Sequence, residues 1–391
     1  MRYAIIAPYY PPSSRAGGPP RVISGMATAV SSMCDVVVVT SALDVGAEEP
    51  YSQADIDSVA APGIRLHYCG PRGPRLSLLI TVCRRADIIH LHSLWSPKYA
   101  LMSALVAFAV PCKRRWLVSP HGELAPSALA RRRVIKSILL PLWSTCVRLR
   151  NIEFIATSEN EMRDIQHTFK DAPIHIITPA PPPVRDVGML APDNCANRPA
   201  RVAFIARIHP VKGLLPLLRA TSLSTGQFIM DIYGPIEDAP YWEECLRFIE
   251  RDERIRYRGE LSAEESGARF QHYDYSALLT AGENFCYSIA ESLAAGCSPI
   301  VTMATPWTST VVEAGGILVS DRDHAAHIAS ILDGLVPASQ NNRERAIHAY
   351  SRWRERSESA ASLNKLLGLN EDRASQSNAR AARPRNSQAQ P

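Results

Sequence analysis

The sequence predicts an α/β protein of two Rossmann-like domains that face each other across a cleft. Three observations carry this expectation. Short apolar runs alternate with helical patterns, as in βαβ units around parallel sheets. The alternation occurs twice, on either side of a proline-dense break at Thr178-Pro179-Ala180-Pro181-Pro182-Pro183. A chain of 391 residues also holds enough material for two cores.

In the first series the expected strands are Tyr3–Ala7, Asp35–Thr40, Ile64–Tyr68, Ile88–His92, Trp116–Ser119 and Glu153–Thr157. Helical patterns fill the gaps, among them Val22–Met33 and Ala128–Leu149. The prolines after Ile177 can continue neither a helix nor a central strand, and with the polar run to Pro199 they read as a linker. The second series places strands at Val202–Ile205, Phe228–Tyr233, Ile255–Tyr257, Ser276–Leu279, Ser298–Val301 and Ile317–Val319. A last helix runs from about Arg343 to Leu367. The expected organisation is therefore a first domain at 1–180, a linker at 181–199, a second domain at 200–342, a C-terminal helix at 343–368 and a tail at 369–391. The tail has almost no apolar bulk and is expected to be disordered. Two such halves put a ligand cleft at the carboxyl ends of their strands.

Composition narrows the class of function. At 46% hydrophobic and 21% charged, the chain has the make-up of a globular protein. A net charge of +5 does not by itself indicate nucleic acid, and the basic stretches lack the interleaved aromatics of a nucleic-acid surface. Nine scattered cysteines without a CxxC pair argue against a disulfide framework or a zinc ribbon, and for a reducing cytoplasm. The apolar run at Met1–Pro8 is too short for a secretory signal, and no run of about 18 apolar residues follows. The expectation is a soluble or peripheral protein.

Several motifs point into the cleft. Gly282-Glu283-Asn284 reads as a turn before a helix in which Ile289, Leu293 and Ala294 recur at helical spacing. This puts Glu283 at the mouth of a strand and Glu291 on the helix face behind it, with free helix N–H groups between them as a seat for an anion. One acid beside a reacting sugar and another gripping a ribose need this layout. No GxGxxG follows the first strand, where a dinucleotide enzyme would carry it; Gly17-Gly18 instead precede a helix and allow close backbone approach to a ligand. Arg207 and Lys212, five residues apart beyond a strand, suit a diphosphate: a fork for one group and a point charge for the other. Gly234 ends a strand at the same level, open to a base or sugar. His121-Gly122 ends a strand of the first domain, placed for contact with a sugar. Each has a plainer reading as a surface loop, a solvated basic turn or a structural histidine. His90 and His92 alternate on one strand and are expected to face opposite sides of it, which argues against a shared metal and for structural roles. Lys113–Arg150 combines basic residues with the apolar run Ile138-Leu139-Leu140-Pro141-Leu142-Trp143, which suits an anionic membrane surface or a lipid-diphosphate acceptor, or else a solvated helix face.

Taken in order from Met1 to about Leu335, these residues resemble the retaining glycosyltransferases of the large family-four type, glycosyl transferases group 1, with the GT-B fold. The resemblance is carried by Gly17-Gly18-Pro19, His90-Leu91-His92-Ser93-Leu94-Trp95-Ser96-Pro97, Ser119-Pro120-His121-Gly122-Glu123 and Ala156-Thr157-Ser158-Glu159. Arg207 with Lys212-Gly213, Asp231-Ile232-Tyr233-Gly234-Pro235, Gly282-Glu283-Asn284-Phe285 with Glu291, and Thr305-Pro306-Trp307 complete it. It implies a nucleotide-sugar donor in the second domain and a saccharide or lipid-linked saccharide acceptor in the first. Arg207 and Lys212 would bind the diphosphate, Glu291 the ribose hydroxyls, and Gly17 and Gly18 would close over the phosphate. Gly234, Asn284 and Phe285 would line the donor, with Glu283 and His121 at the reacting sugar. It also implies no metal and no cofactor beyond the donor, because the basic pair and the helix N-terminus stabilise the leaving diphosphate while the acceptor attacks with retention. The last helix, near Trp353, would cross back onto the first domain. The implied activity is transfer of a hexose to a surface polysaccharide, exopolysaccharide or lipopolysaccharide, in the cytoplasm or on the inner face of the membrane.

The chain departs from the pattern in four places. Cys286 stands where similar proteins carry Gly, Leu279 where they carry Pro, Thr178-Pro179-Ala180 in place of Asn-Gly, and Met303-Ala304 in place of Asp-Gln. The thiol side chain needs space beside the diphosphate seat that glycine leaves open. The alternative expectation is therefore a catalytically weak or inactive GT-B-like scaffold in a polysaccharide assembly complex.

Overall fold

The computed structural model describes residues 1–110, 114–130, 133–184, 198–357 and 359–369. Most of the expected linker, the tail from 370, and Lys113, Arg131 and Arg132 of the basic segment lie outside the described residues. The first domain runs β1 (Arg2–Ile6), α1 (Pro19–Ser31), β2 (Asp35–Ser41), α2 (Gln53–Ser58), β3 (Ile64–Cys69), α3 (Leu76–Arg85), β4 (Ile88–His92), α4 (Met102–Ala109), β5 (Arg115–Ser119), α5 (Pro126–Ala130), α6 (Arg133–Arg150), β6 (Glu153–Ala156), α7 (Glu159–Thr168) and β7 (Ile174–Ile176). The second runs β8 (Ala200–Ile205), α8 (Leu214–Thr221), β9 (Phe228–Tyr233), α9 (Ala239–Ile249), β10 (Ile255–Tyr257), α10 (Ala263–Arg269), β11 (Tyr275–Leu278), α11 (Tyr287–Ala294), β12 (Ser298–Thr302), α12 (Thr308–Glu313), β13 (Ile317–Val319) and α13 (Ala325–Asp333). Two helices follow, α14 (Gln340–Arg356) and α15 (Ser359–Leu367).

Among the described residues the first sheet has the order β3-β2-β1-β4-β5-β6-β7 and the second β10-β9-β8-β11-β12-β13. Every named pair is parallel. The sequence produces this through strands apolar on both faces. In β2, Val36 and Val38 enter the core beneath α1, while Val37 and Val39 turn to the opposite core. In each sheet the order reverses beside the first strand of the domain, β1 or β8, and the loops beyond those strands open into the cleft. This is the GT-B architecture. Among the described residues no helix is long and apolar enough to cross a membrane.

Two elements differ from the sequence reading. β7, three residues at a sheet edge, is too short to leave a pattern. The helix expected at Ala128–Leu149 is seen as α5 and α6, on either side of residues 131 and 132, which lie outside the described residues. The expected single C-terminal helix is two: Ser357 takes ψ 97° and donates its hydroxyl to Arg354 O, drawing the backbone out of the helix. α14 stays with the second domain, where Trp353 lies 4.3 Å from Trp307 between ring centroids. Only α15 reaches the first domain, where Leu363 and Leu367 enter the core with Val22 and Ile23.

Asp274, fully buried, ties these parts together. Its carboxylate accepts from Arg198 at 2.6 and 2.7 Å, from Arg343 of α14 at 3.2 Å, and from the N–H groups of Arg201 and Ala338 at 2.8 and 3.0 Å.

Candidate functional site

The second domain forms one wall of the cleft. Beyond β8 the chain carries Arg207 and then a short turn, Pro210–Lys212, closed by Gly213 in the left-handed region at φ 76°. A Cβ on Gly213 would stand 1.9 Å from Leu279 O, so only glycine lets this turn lie against the end of β11. That contact brings Lys212 Nζ to 2.6 Å from Glu283 Oε1, with both side chains largely buried. Arg207 is paired in turn with Glu237. Both cations of the expected diphosphate seat are thus held by carboxylates that an incoming anion would have to replace.

Glu291 sits on α11, 5% exposed, with Oε2 accepting from Ser266 at 2.9 Å. Cys286, at the start of that helix, takes φ 64° and ψ 82°, a conformation that disfavours side chains. Burial and then Glu283 push its thiol up to about 12, against the pull of Lys212 and the N–H groups of Ile289 and Ser288. It is a neutral thiol at physiological pH. Replacing it with glycine removes both the left-handed strain and a small half-buried side chain, effects of about 1 kcal/mol each and opposite in sign. Cys286→Gly is therefore expected to leave the unfolding free energy within about 1 kcal/mol of wild type in urea titration.

The first domain supplies the opposing wall. His121 and Gly122, beyond β5, both lie in the left-handed region at φ 52° and 80°. Such a turn persists only where its surroundings hold it. The buried carboxylate of Glu161 accepts from Gly122 N at 2.7 Å and from Thr157 N at 2.7 Å, and Asn284 of the second domain closes on Gly122 from the other side. Burial raises the pKa of Glu161 against the pull of those donors. The sequence reading of His90 and His92 is corrected: residues two apart on a strand share a face. Their ring centroids are 3.9 Å apart, and His92 Nδ1 lies 2.8 Å from His121 Nε2. Among the described residues no group of three or more His, Cys, Asp or Glu is arranged to hold a metal ion.

Contacts run across the cleft. Gly17 lies against the Arg207 side chain and Gly18 against Tyr287. Arg21 of α1 places Nη1 2.6 Å from Glu291 Oε1 and its guanidinium 4.1 Å from the centre of the Tyr287 ring. The structure thus gathers Gly17, Gly18, Arg207, Lys212, Glu283, Asn284 and Glu291 along one cleft, with His121 on its far side. Two expected donor contacts also have structural roles. Phe285 is 6% exposed and turns into an aromatic cluster with Tyr287, Trp307 and Trp353, so its ring anchors the loop. Gly234 is required by the Ala206 carbonyl, which a Cβ would meet at 2.0 Å. Sequence reasoning missed Arg21, Ser266, Tyr287, Glu161 and the His92–His121 contact. Arg21 alone left a signal, as a cation in the first turn of the helix after Gly17-Gly18.

Residues 199–336, the core of the second domain, match the family model described as glycosyl transferases group 1. None of the curated proteins matches the sequence. Solved structures similar to the chain include HepE of Anabaena in complex with UDP and glucose, at 15% identity and a TM-score of 0.70 over 94% of this chain and 98% of that one. The sucrose-phosphate synthase of Thermosynechococcus elongatus is similar at 17% identity and 0.63, over 94% and 99%. The lipopolysaccharide outer core galactosyltransferase WaaB is similar at 15% identity and 0.61, over 94% and 99%. At such identities the likeness establishes the shared fold.

Proposed function

We propose that the chain is a retaining glycosyltransferase that moves a hexose from a nucleotide-sugar to a saccharide acceptor, a growing lipid-linked surface polysaccharide. One observation carries the reading: Arg207, Lys212, Glu283 and Glu291 converge on one wall of the cleft, opposite His121. The donor diphosphate takes Arg207 and Lys212 from their carboxylates, and the ribose hydroxyls take Glu291 from Arg21. As the anomeric carbon–oxygen bond breaks, negative charge grows on the diphosphate, where the two cations stabilise it without a metal. The acceptor oxygen bonds to the anomeric carbon on the face the diphosphate leaves, and its proton passes to the departing phosphate oxygen. Glu283, freed from Lys212, and His121 hold the sugar between them.

HepE was solved with UDP-glucose, which makes UDP-hexoses the first donors to offer. In a thermal-shift panel of UDP-, GDP- and ADP-sugars, one is expected to raise the melting point of the wild type and to leave Arg207→Ala unmoved. If none of them shifts the wild type, the assignment fails. Cys286 favours a second reading, a catalytically silent scaffold; transfer by the wild type that disappears in Arg207→Ala would dismiss it.

We place the protein in the cytoplasm, resting on the inner face of the membrane. Lys113–Arg150 contains nine Lys and Arg against one acid, Glu123, a net of +8 in a chain whose total is +5. Val134, Ile138 and Leu149 on α6 of that region are 72, 69 and 63% exposed, and Leu105 on the adjoining α4 is 58% exposed. Apolar side chains ringed by cations suit an anionic lipid surface. The full chain is expected to float with phosphatidylglycerol vesicles and not with phosphatidylcholine ones, and to lose flotation on combining Val134→Glu with Ile138→Glu. Unchanged flotation of that variant would remove this face from the proposal.

A further inference from the structure

We propose that His92 fixes the tautomer of His121, donating its Nδ1–H to His121 Nε2 so that His121 presents an Nδ1–H to the cleft. What the presented proton does rests on the transferase reading; the tautomer itself is a property of the free protein.

The backbone sets the pair. His92 is in register with Ser119, two residues before His121, and the left-handed turn returns the His121 ring over the strand end. Glu161 and Asn284 hold that turn from either side, so the ring has little freedom to swing away. The two imidazoles lie 12° from coplanar with the Nδ1–Nε2 contact at 2.8 Å, and one proton must lie between those nitrogens.

The neighbours decide which nitrogen owns it. His90 has no nitrogen to spare: Nδ1 meets Tyr3 OH at 2.6 Å and Nε2 meets Ser119 Oγ at 2.8 Å. His92 Nε2 is buried with no partner among the described residues. A buried N–H without an acceptor is rarer than an acceptor left unmet, so the bare nitrogen of His92 is Nε2 and its proton sits on Nδ1. Desolvation keeps the rings uncharged: it lowers His92 well below the usual value and His121 to about 4, so each carries one proton at physiological pH. His121 Nε2 must then accept, and its own proton lies on Nδ1. That nitrogen is not among the buried unpartnered atoms, and the residue as a whole is half-buried at the cleft wall, so we direct the N–H toward the cleft. A neutral donor there suits an oxygen of the bound sugar. His92 is a positioning residue, acting through His121.

Nitrogen-15 labelling of the histidines in the full chain, read by two-bond proton–nitrogen correlation, tests this without a ligand. In the wild type His121 is expected to show a protonated Nδ1 and a bare Nε2, and a proton on Nε2 would overturn the proposal. His92→Asn, whose amide can still donate from the same place, is expected to keep that pattern. His92→Asp, which can only accept, is expected to move the proton to Nε2, and an unchanged pattern there would also overturn it. If the aspartate variant does not fold, the wild-type and asparagine spectra decide. With UDP-glucose as donor, reversal is expected to lower kcat about 10- to 100-fold with an unchanged donor KM, and His92→Asn to restore most of it. Absence of turnover in the wild type with every nucleotide-sugar would count against the transferase reading and leave the tautomer result standing.

Discussion

Lys212→Met is expected to lower kcat by about 10²- to 10³-fold and to destabilise the second domain by about 3–5 kcal/mol, the range for removing one partner of a buried ion pair. Lys212 and Glu283 are 2.6 Å apart, with side chains 15% and 9% exposed. Without the ammonium, the glutamate is left charged, largely dehydrated and uncompensated. In the proposed reaction the same ammonium meets the diphosphate, where loss of one such group reduces kcat by about 10²- to 10³-fold. The two effects separate in a double-mutant cycle. Adding Glu283→Gln to Lys212→Met removes the stranded charge, so the urea midpoint should recover most of the way while kcat stays low. Recovery of turnover together with stability would show that Lys212 serves only to neutralise Glu283. The diphosphate assignment would then be wrong.

The strands were legible in the sequence because both faces of each sheet are covered, so a strand such as Asp35–Ser41 shows as a continuous apolar run. The break between α14 and α15 was not, because apolar spacing continues past Ser357 and the second piece is held by contacts with α1, far away in sequence. At the site, groups beside a strand end were readable from the chain: Arg207, Lys212 and Glu283 each follow a strand in the second domain. Groups that act across the cleft were not. Arg21 finds Glu291 over a separation of 270 residues, and nothing local to either residue announces it. The histidines are an intermediate case. Strand spacing puts His90 and His92 on one face, but the step from His92 to His121 needs the register of β4 against β5 and the handedness of the turn after it. Phe285 was ambiguous for another reason. An aromatic residue in a site loop reads alike whether it stacks on a ligand or fills a core; here the Phe285 ring is 6% exposed and packs against Trp307 and Trp353.

Asp274→Asn is expected to cost about 3–5 kcal/mol as well, and to change how stability depends on pH. Burial opposes the ionised carboxylate, but the bonds from Arg198 and from the N–H groups of Arg201 and Ala338 outweigh it and hold the carboxyl below its usual range. A carboxyl whose pKa is depressed on folding contributes stability that is fully present above its unfolded pKa, roughly 4, and is lost as pH falls through the folded value. Wild type should therefore lose unfolding free energy on acidification below roughly pH 4, and the asparagine variant, already weaker at neutral pH, should lose less over that interval. Equal acid slopes for the two proteins would mean that Asp274 is not the group responsible. The position of Asp274 adds a functional consequence. It joins Arg198, where the chain enters the second domain, to Arg343 of α14, which leads on to the helix docked against α1. Both connections between the domains are anchored near this one carboxylate. The variant should accordingly weaken donor binding at neutral pH even though no group of the site has been changed, and an unaltered thermal shift with the donor that stabilises wild type would show that the domains hold their arrangement without it.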